Sequence, residues 1–201
     1  MSANQVCCPT ARLEKLLLAT DGSKLSEGAE KETINLAKIC SSKIYALSVI
    51  EVNPEFLAAA PQLVEKNEKE VRKHLEKVKT KATSEGLDCE IIVHQGEEPF
   101  KYIVDEAAKK KVAMTIMGRH GRTGLKRLLM GSVAAKTVGH SPCDVMVIPQ
   151  AAKVVYKKIL VATDGSKYSD AASFEAVSIA KRCNSDLIAL SVATKDTNLA
   201  A

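Results

Sequence analysis

The sequence predicts an α/β protein: an open, five-stranded, mostly parallel sheet sandwiched by helices, followed by a partial βαβ repeat. Three observations carry this. Short apolar runs of strand length alternate with longer segments of helical periodicity. The apolar runs show little polar alternation, as strands buried on both faces require. Finally, a strand-and-turn segment occurs twice, as Lys15-Leu-Leu-Leu-Ala-Thr-Asp-Gly-Ser-Lys24 and Lys158-Ile-Leu-Val-Ala-Thr-Asp-Gly-Ser-Lys167.

In chain order, Leu16–Thr20 is a short apolar run that leaves at Asp21-Gly22-Ser23, the pattern of a buried strand ending in a turn. Ser26 caps a predicted helix to about Cys40, with Ala29, Thr33, Leu36 and Ala37 on one face. Lys43–Val52 is the second strand, and Pro54–Pro61 is expected to be a loop. A long helix over about Leu63–Ser84 follows, striped by Val71, Leu75, Val78 and Ala82 and stopped by Gly86. Cys89–His94 is the third strand. Pro99 opens a helix to about Lys110 that is expected to bury Phe100, Ile103, Val104 and Ala107. Val112–Met117 and Asp144–Ile148 are the fourth and fifth strands, with one or two helical turns over Ser132–Val138 between them.

The repeat sets the domain organisation. The second copy stands 143 residues after the first, and the match extends from Ser26 and Ser169 to Ala46-Leu-Ser-Val49 and Ala189-Leu-Ser-Val192. The expected organisation is a tail over residues 1–12, a complete domain over 13–150, a linker over 151–156 and a shortened second copy over 157–201. That second copy holds strand, helix and strand, too small a piece to bury a core of its own.

Composition narrows the function classes. With 201 residues, 46% hydrophobic and 26% charged, the chain can build a packed core. No apolar run has the roughly 18 residues of a membrane span, and Met1–Arg12 lacks the apolar core of a secretory signal, so a cytoplasmic address is expected. Aromatics make up 3% of the chain and tryptophan is absent, which leaves little to stack bases on and argues against nucleic acid, despite a net charge of +5. The six cysteines form no CxxC pair; Cys40 and Cys183 fall at equivalent helix ends, and reduced, buried thiols are the expected state.

Parallel sheets bind ligands beyond the carboxyl ends of their strands, which draws attention to Asp21, Val49 and Gly118. Gly118-Arg119-His120-Gly121 follows a buried strand, and Gly131-Ser132 opens a short helix after it. Glycines let backbone N–H groups approach a phosphate, the helix N-terminus adds free N–H groups, and Ser132 adds a hydroxyl. From Gly118 to Lys136 the charged residues are Arg119, Arg122, Lys126, Arg127 and Lys136, with no acid among them, a field that suits an anion. His120 can also donate to a phosphate. A turn-rich loop with a solvated basic face is the plainer alternative.

The pattern Gly118-x2-Gly121-x9-Gly131-Ser132 resembles the ATP-binding signature of the universal stress protein family, and Ala19-Thr20-Asp21-Gly22-Ser23 resembles that family's opening. The resemblance covers Leu13–Pro149 and restarts at Lys157. It implies an adenine-nucleotide-hydrolase-like, Rossmann-like fold that takes ATP, or ADP or AMP, with Mg. It implies Asp21 near the phosphates and metal, with Ala19 also in the site, Val49 against adenine and Met117 at the ribose. Gly118, Gly121, Gly131, Ser132 and, by its backbone, Val133 would hold the phosphates, with Arg119 and His120 in the same loop. It also implies a homodimer paired through Val145–Ile148. Each residue has a bland alternative: Asp21 as a turn cap, Val49 and Met117 as core.

Three functions follow from these readings. The first is a nucleotide-binding stress-response protein, regulatory or protective, in which the ligand modulates conformation rather than undergoing fast chemistry. The second is a slow ATPase or adenylating enzyme; the adenylating relatives of this fold carry a Ser-Gly-Gly…Asp-Ser loop that Ala19–Ser23 does not match. The third is an interaction scaffold whose glycines only shape a turn. The four histidines, His74, His94, His120 and His140, are dispersed, and no triad or carboxylate pair stands out for catalysis.

Overall fold

The protein is described by a computed structural model covering residues 8–10, 13–121 and 130–192. It divides into two compact units, one of Arg12–Val154 and a smaller one of Val155–Ala201 with Met1–Ala11.

The larger unit runs β1 (Lys15–Ala19), α1 (Glu27–Cys40), β2 (Lys43–Glu51), α2 (Pro54–Ala59), α3 (Pro61–Ser84), β3 (Cys89–Gly96), α4 (Pro99–Lys110), β4 (Met114–Gly118), α5 (Ser132–His140) and β5 (Asp144–Ile148). Its five strands form one sheet in the order β3-β2-β1-β4-β5, and every neighbouring pair is parallel. The chain first winds outward from β1 to β3, then crosses back and winds the other way from β4 to β5. The switch point therefore lies between β1 and β4. Leu16, Leu17, Leu18, Ile44, Leu47 and Ile116 are fully buried, which accounts for the uninterrupted apolar runs in the sequence.

Several expectations are corrected locally. Pro54–Ala59 is a helix, not a loop: Asn53 takes the N-cap and accepts from Phe56 N–H at 2.7 Å, and Pro54 fits the first turn, where its missing N–H costs nothing. Ser26 stands at the N-cap of α1 but makes no side-chain cap bond; its Oγ instead donates to the Ser23 carbonyl at 2.8 Å. In α4, Phe100 and Val104 are only half-buried, and Glu106 takes a buried place beside Ile103 and Ala107, held by His94 Nε2 at 3.2 Å.

The smaller unit contains β6 (Lys158–Ala162), α6 (Lys167–Cys183) and β7 (Asp186–Leu190), with β6 and β7 parallel in a two-stranded sheet. Leu160, Phe174, Ile188 and Leu190 are exposed there.

The thiols divide in two. Cys89 is a buried core thiol, and burial pushes its ionisation up to about 11. Cys8, Cys40 and Cys183 are each disulfide-bonded, so the expectation of reduced thiols fails for them; Cys40 and Cys183 are half-buried. Both stand at the last position of a helix, where the apolar stripe gives way to solvent. Cys7 lies outside the described residues.

Candidate functional site

The register of the sheet brings the strand ends together. Ala19, the last residue of β1, is level with Leu47 on β2 and with Met117 on β4, while Gly118 is level with Ile148 on β5. Beyond these ends lies a cavity of about 460 Å³, inside the range of about 300–1,000 Å³ common for small-molecule sites. Ala19, Asp21, Val49, Met117, Gly118, Arg119, His120, Gly121, Gly131, Ser132 and Val133 all line it. These residues come from three strands, a loop and a helix start that are distant in sequence, and they converge at the switch point. Arg122, Lys126 and Arg127 lie outside the described residues; Lys136 is not among the lining residues.

The floor is apolar. Ala19, Leu47, Ile103, Met117 and Ala134 belong to one buried cluster, and Val49 and Val133 pack against it half-exposed. The structural and binding readings of Val49 and Met117 are therefore compatible, since each is core on one side and cavity wall on the other.

The rim on the β4 side is polar and held by backbone bonds. Arg119 N–H donates to the Ile148 carbonyl at 3.0 Å, and Gly131 N–H donates to the Arg119 carbonyl at 2.8 Å, so the segment is closed at its base. Gly131 is the N-cap of α5 and offers no side chain to the first turn. The early N–H groups of that helix, at Ser132 and Val133, thus face the cavity without a capping side chain, at the positive end of the helix dipole.

The three site glycines stand where neighbouring atoms come close, not where the backbone twists; among the described residues the glycines with positive φ are Gly22, Gly86 and Gly165. A Cβ on Gly118 would stand 3.2 Å from the Leu25 carbonyl, one on Gly131 would stand 3.3 Å from the Arg119 carbonyl, and one on Gly121 would stand 2.9 Å from Asp21 Oδ2. The last distance shows that the glycine segment lies close beside the β1–α1 turn.

Asp21 has two roles in that turn. Its Oδ1 accepts from Ser23 N–H at 3.0 Å, an Asx turn, while Oδ2 is the atom facing Gly121. Behind it, Thr20 Oγ1 donates to Glu30 Oε1 at 2.7 Å, and His74 Nε2 lies 2.8 Å from the same oxygen. Burial pushes the Glu30 carboxyl up, but the bonds from His74 and Thr20 outweigh it and leave the group below its ordinary value. Through this pair α3 holds the turn from behind.

Thr20, Ser26, Leu47, Glu51, Asn67, Pro99, Ile103 and Ala134 also line the cavity, without having been expected there. Most are ordinary core or turn residues in the sequence. Asn67 carried a legible signal: it falls three residues after buried Val64 and four before buried Val71, on the core-facing stripe of a helix.

Among the described residues, no group of three His, Cys, Asp or Glu side chains is placed to hold a metal. Asp21 is the carboxylate on the phosphate-type side, so a divalent ion would need other oxygens, such as those of a polyphosphate.

The fold defines a doubly wound α/β protein with a cavity beyond the carboxyl ends of its strands. More narrowly, the chain belongs to the universal stress protein family, whose profile matches residues 12–149 and again 155–201. The universal stress protein MJ0531 of Methanocaldococcus jannaschii is 34% identical over 145 residues, 70% of this chain and 84% of that protein. A universal stress protein of Archaeoglobus fulgidus superposes with a TM-score of 0.72 at 23% identity, covering 92% of this chain and 69% of its own. A universal stress protein solved in complex with cAMP superposes with a TM-score of 0.53 at 22% identity, covering 70% of this chain and all of its own, 100%. Among the described residues, no helix is long and apolar enough to cross a membrane.

Proposed function

We propose that this chain binds ATP at the switch-point cavity and acts in the cytoplasm as a ligand-modulated stress-response protein. The observation that carries the reading is the convergence on one cavity of eleven residues singled out from sequence. The cAMP complex of a protein of the same fold supports the adenine-nucleotide class.

The residues divide the work by chemistry. Ser132 and Val133 N–H groups, the Ser132 hydroxyl and Arg119 supply donors and positive charge for phosphates. Val49, Met117 and Ile103 supply the apolar surface a base and sugar would cover. Asp21 is the protein ligand for a Mg ion otherwise held by phosphate oxygens. Bound Mg would screen phosphate charge; the chain's own residues bind and orient. Binding ties the glycine segment to the β1–α1 turn, and that coupling is what lets occupancy shift a conformational equilibrium. The edge position of β5 in the sheet supports pairing of two chains through Val145–Ile148.

The test is calorimetric titration of Mg-ATP into the protein and into Gly121→Val, with light scattering on the same samples. Saturable binding by a dimer, weakened about tenfold or more in the variant, is expected, since the valine would fill space at the cavity and push the Asp21 carboxylate aside. Equal binding by both proteins, or none by a nucleotide-free preparation, overturns the reading.

A further inference from the structure

The core-facing stripe of α3 runs Val64, Val71, Leu75, Val78 and Ala82. Continued at helical spacing, it also passes through positions 67 and 74, and both are polar, Asn67 and His74. His74 is accounted for by its contact with buried Glu30 at 2.8 Å. No hydrogen bond of the Asn67 side chain is found among the described residues, yet it is half-buried and lines the cavity. The amide is therefore free to bond to whatever occupies the cavity, in place of water. Glu51, the last residue of β2, lines the same cavity.

The strand order fixes which end of a ligand these two would meet. The glycine segment belongs to β4, whereas Glu51 ends β2, with β1 between them. Two strand spacings are roughly 10 Å, comparable to the reach from phosphate to base in a nucleotide. With the phosphates at the β4 side, the base lies at the β2 side, against Val49, Asn67 and Glu51. An amide oxygen and a carboxylate there are two acceptors. They match a group with two N–H donors and mismatch a carbonyl; the amide's own N–H group can then reach a ring nitrogen beside the amine, the pairing by which Asn reads adenine.

We propose that Asn67, assisted by Glu51, reads the exocyclic amine of an adenine base and so sets the base specificity of the cavity. This rests on the nucleotide-binding reading above.

The experiment compares ATP with purine riboside triphosphate, which lacks only the amine, in the wild-type protein, in Asn67→Ala and in Asn67→Leu. Alanine favours the helix, and leucine restores the apolar stripe, so at least one variant folds. Wild type is expected to prefer ATP by about tenfold or more, the effect of a neutral hydrogen bond to Asn67 and a charged one to Glu51. Both variants are expected to lose about three- to tenfold of that preference, with purine riboside triphosphate held as tightly as in wild type. Asn67→Leu should also melt at a higher temperature than wild type. If the variants keep the full preference for ATP, Asn67 does not read the base and the inference falls while nucleotide binding stands. If wild type binds neither ligand, both readings fall together.

Discussion

The two copies of the repeat share a turn but not an environment. In both, an Asx turn closes the strand: Ser23 N–H donates to Asp21 Oδ1 at 3.0 Å, and Ser166 N–H donates to Asp164 Oδ1 at 2.9 Å. Gly22 and Gly165 take left-handed φ values of 73° and 78°. Thr20 N–H and Thr163 N–H each reach the next strand's carbonyl, at Leu47 and Leu190, with the same 2.9 Å separation. Burial is where they part. Leu17 and Leu47 are 0% exposed, and their counterparts Leu160 and Leu190 are 63% and 48% exposed. The local motif writes the turn in either setting. The cavity draws on more, because β4 and the glycine segment, which also wall it, have no counterpart among the described residues of the smaller unit.

Core truncation gives the widest separation between the copies. Leu47→Ala is expected to destabilise the larger unit by about 2–5 kcal/mol, whereas Leu190→Ala should stay within about 0.5 kcal/mol. Urea unfolding of the two variants measures both. A large effect at Leu190 would mean that its exposed face is covered in solution.

The aspartates come next. Asp21→Ala should weaken Mg-ATP binding by about tenfold or more, because it removes the carboxylate facing the glycine segment. Asp164→Ala should leave that binding unchanged in the same titration. Equal losses would show that the turn, rather than its position at the cavity, is what matters.

The serines give the smallest effect and the sharpest contrast in local chemistry. Ser166 caps α6 by accepting from Ser169 N–H at 3.2 Å. Its counterpart Ser23 makes no such cap, and its hydroxyl is buried with no hydrogen-bond partner. Ser166→Ala should therefore cost about 1 kcal/mol and Ser23→Ala essentially nothing in thermal unfolding.

These contrasts also mark how far sequence reasoning reaches. The strands, α1, α4 and the convergence on the strand ends were legible, because apolar runs, caps and glycines are short-range signals. Pro54–Ala59 was misread because its two flanking prolines look like loop punctuation, although Asn53-Pro54 is also a helix start. Ser26 was taken for a cap because its residue type fits; the structure instead bonds its hydroxyl back to the Ser23 carbonyl. Asn67 and Glu51 were passed over because each sits in a charged stretch. Asn67's place on the helical stripe was legible, but that it shares a cavity with Glu51 is seen only in the fold.

The switch point also bears on how the molecule assembles. β1 pairs with β4 through contacts such as Leu16 with Met114, and the whole β2–β3 half of the sheet intervenes along the chain. Such long-range pairing is slow to form, because the loop must close before the contact can reward it. The cavity walls at Ala19 and Met117 are therefore complete only when both halves of the sheet have met. A ligand that takes this cavity recognises the finished sheet, and mass action then favours the native state over the unfolded chain.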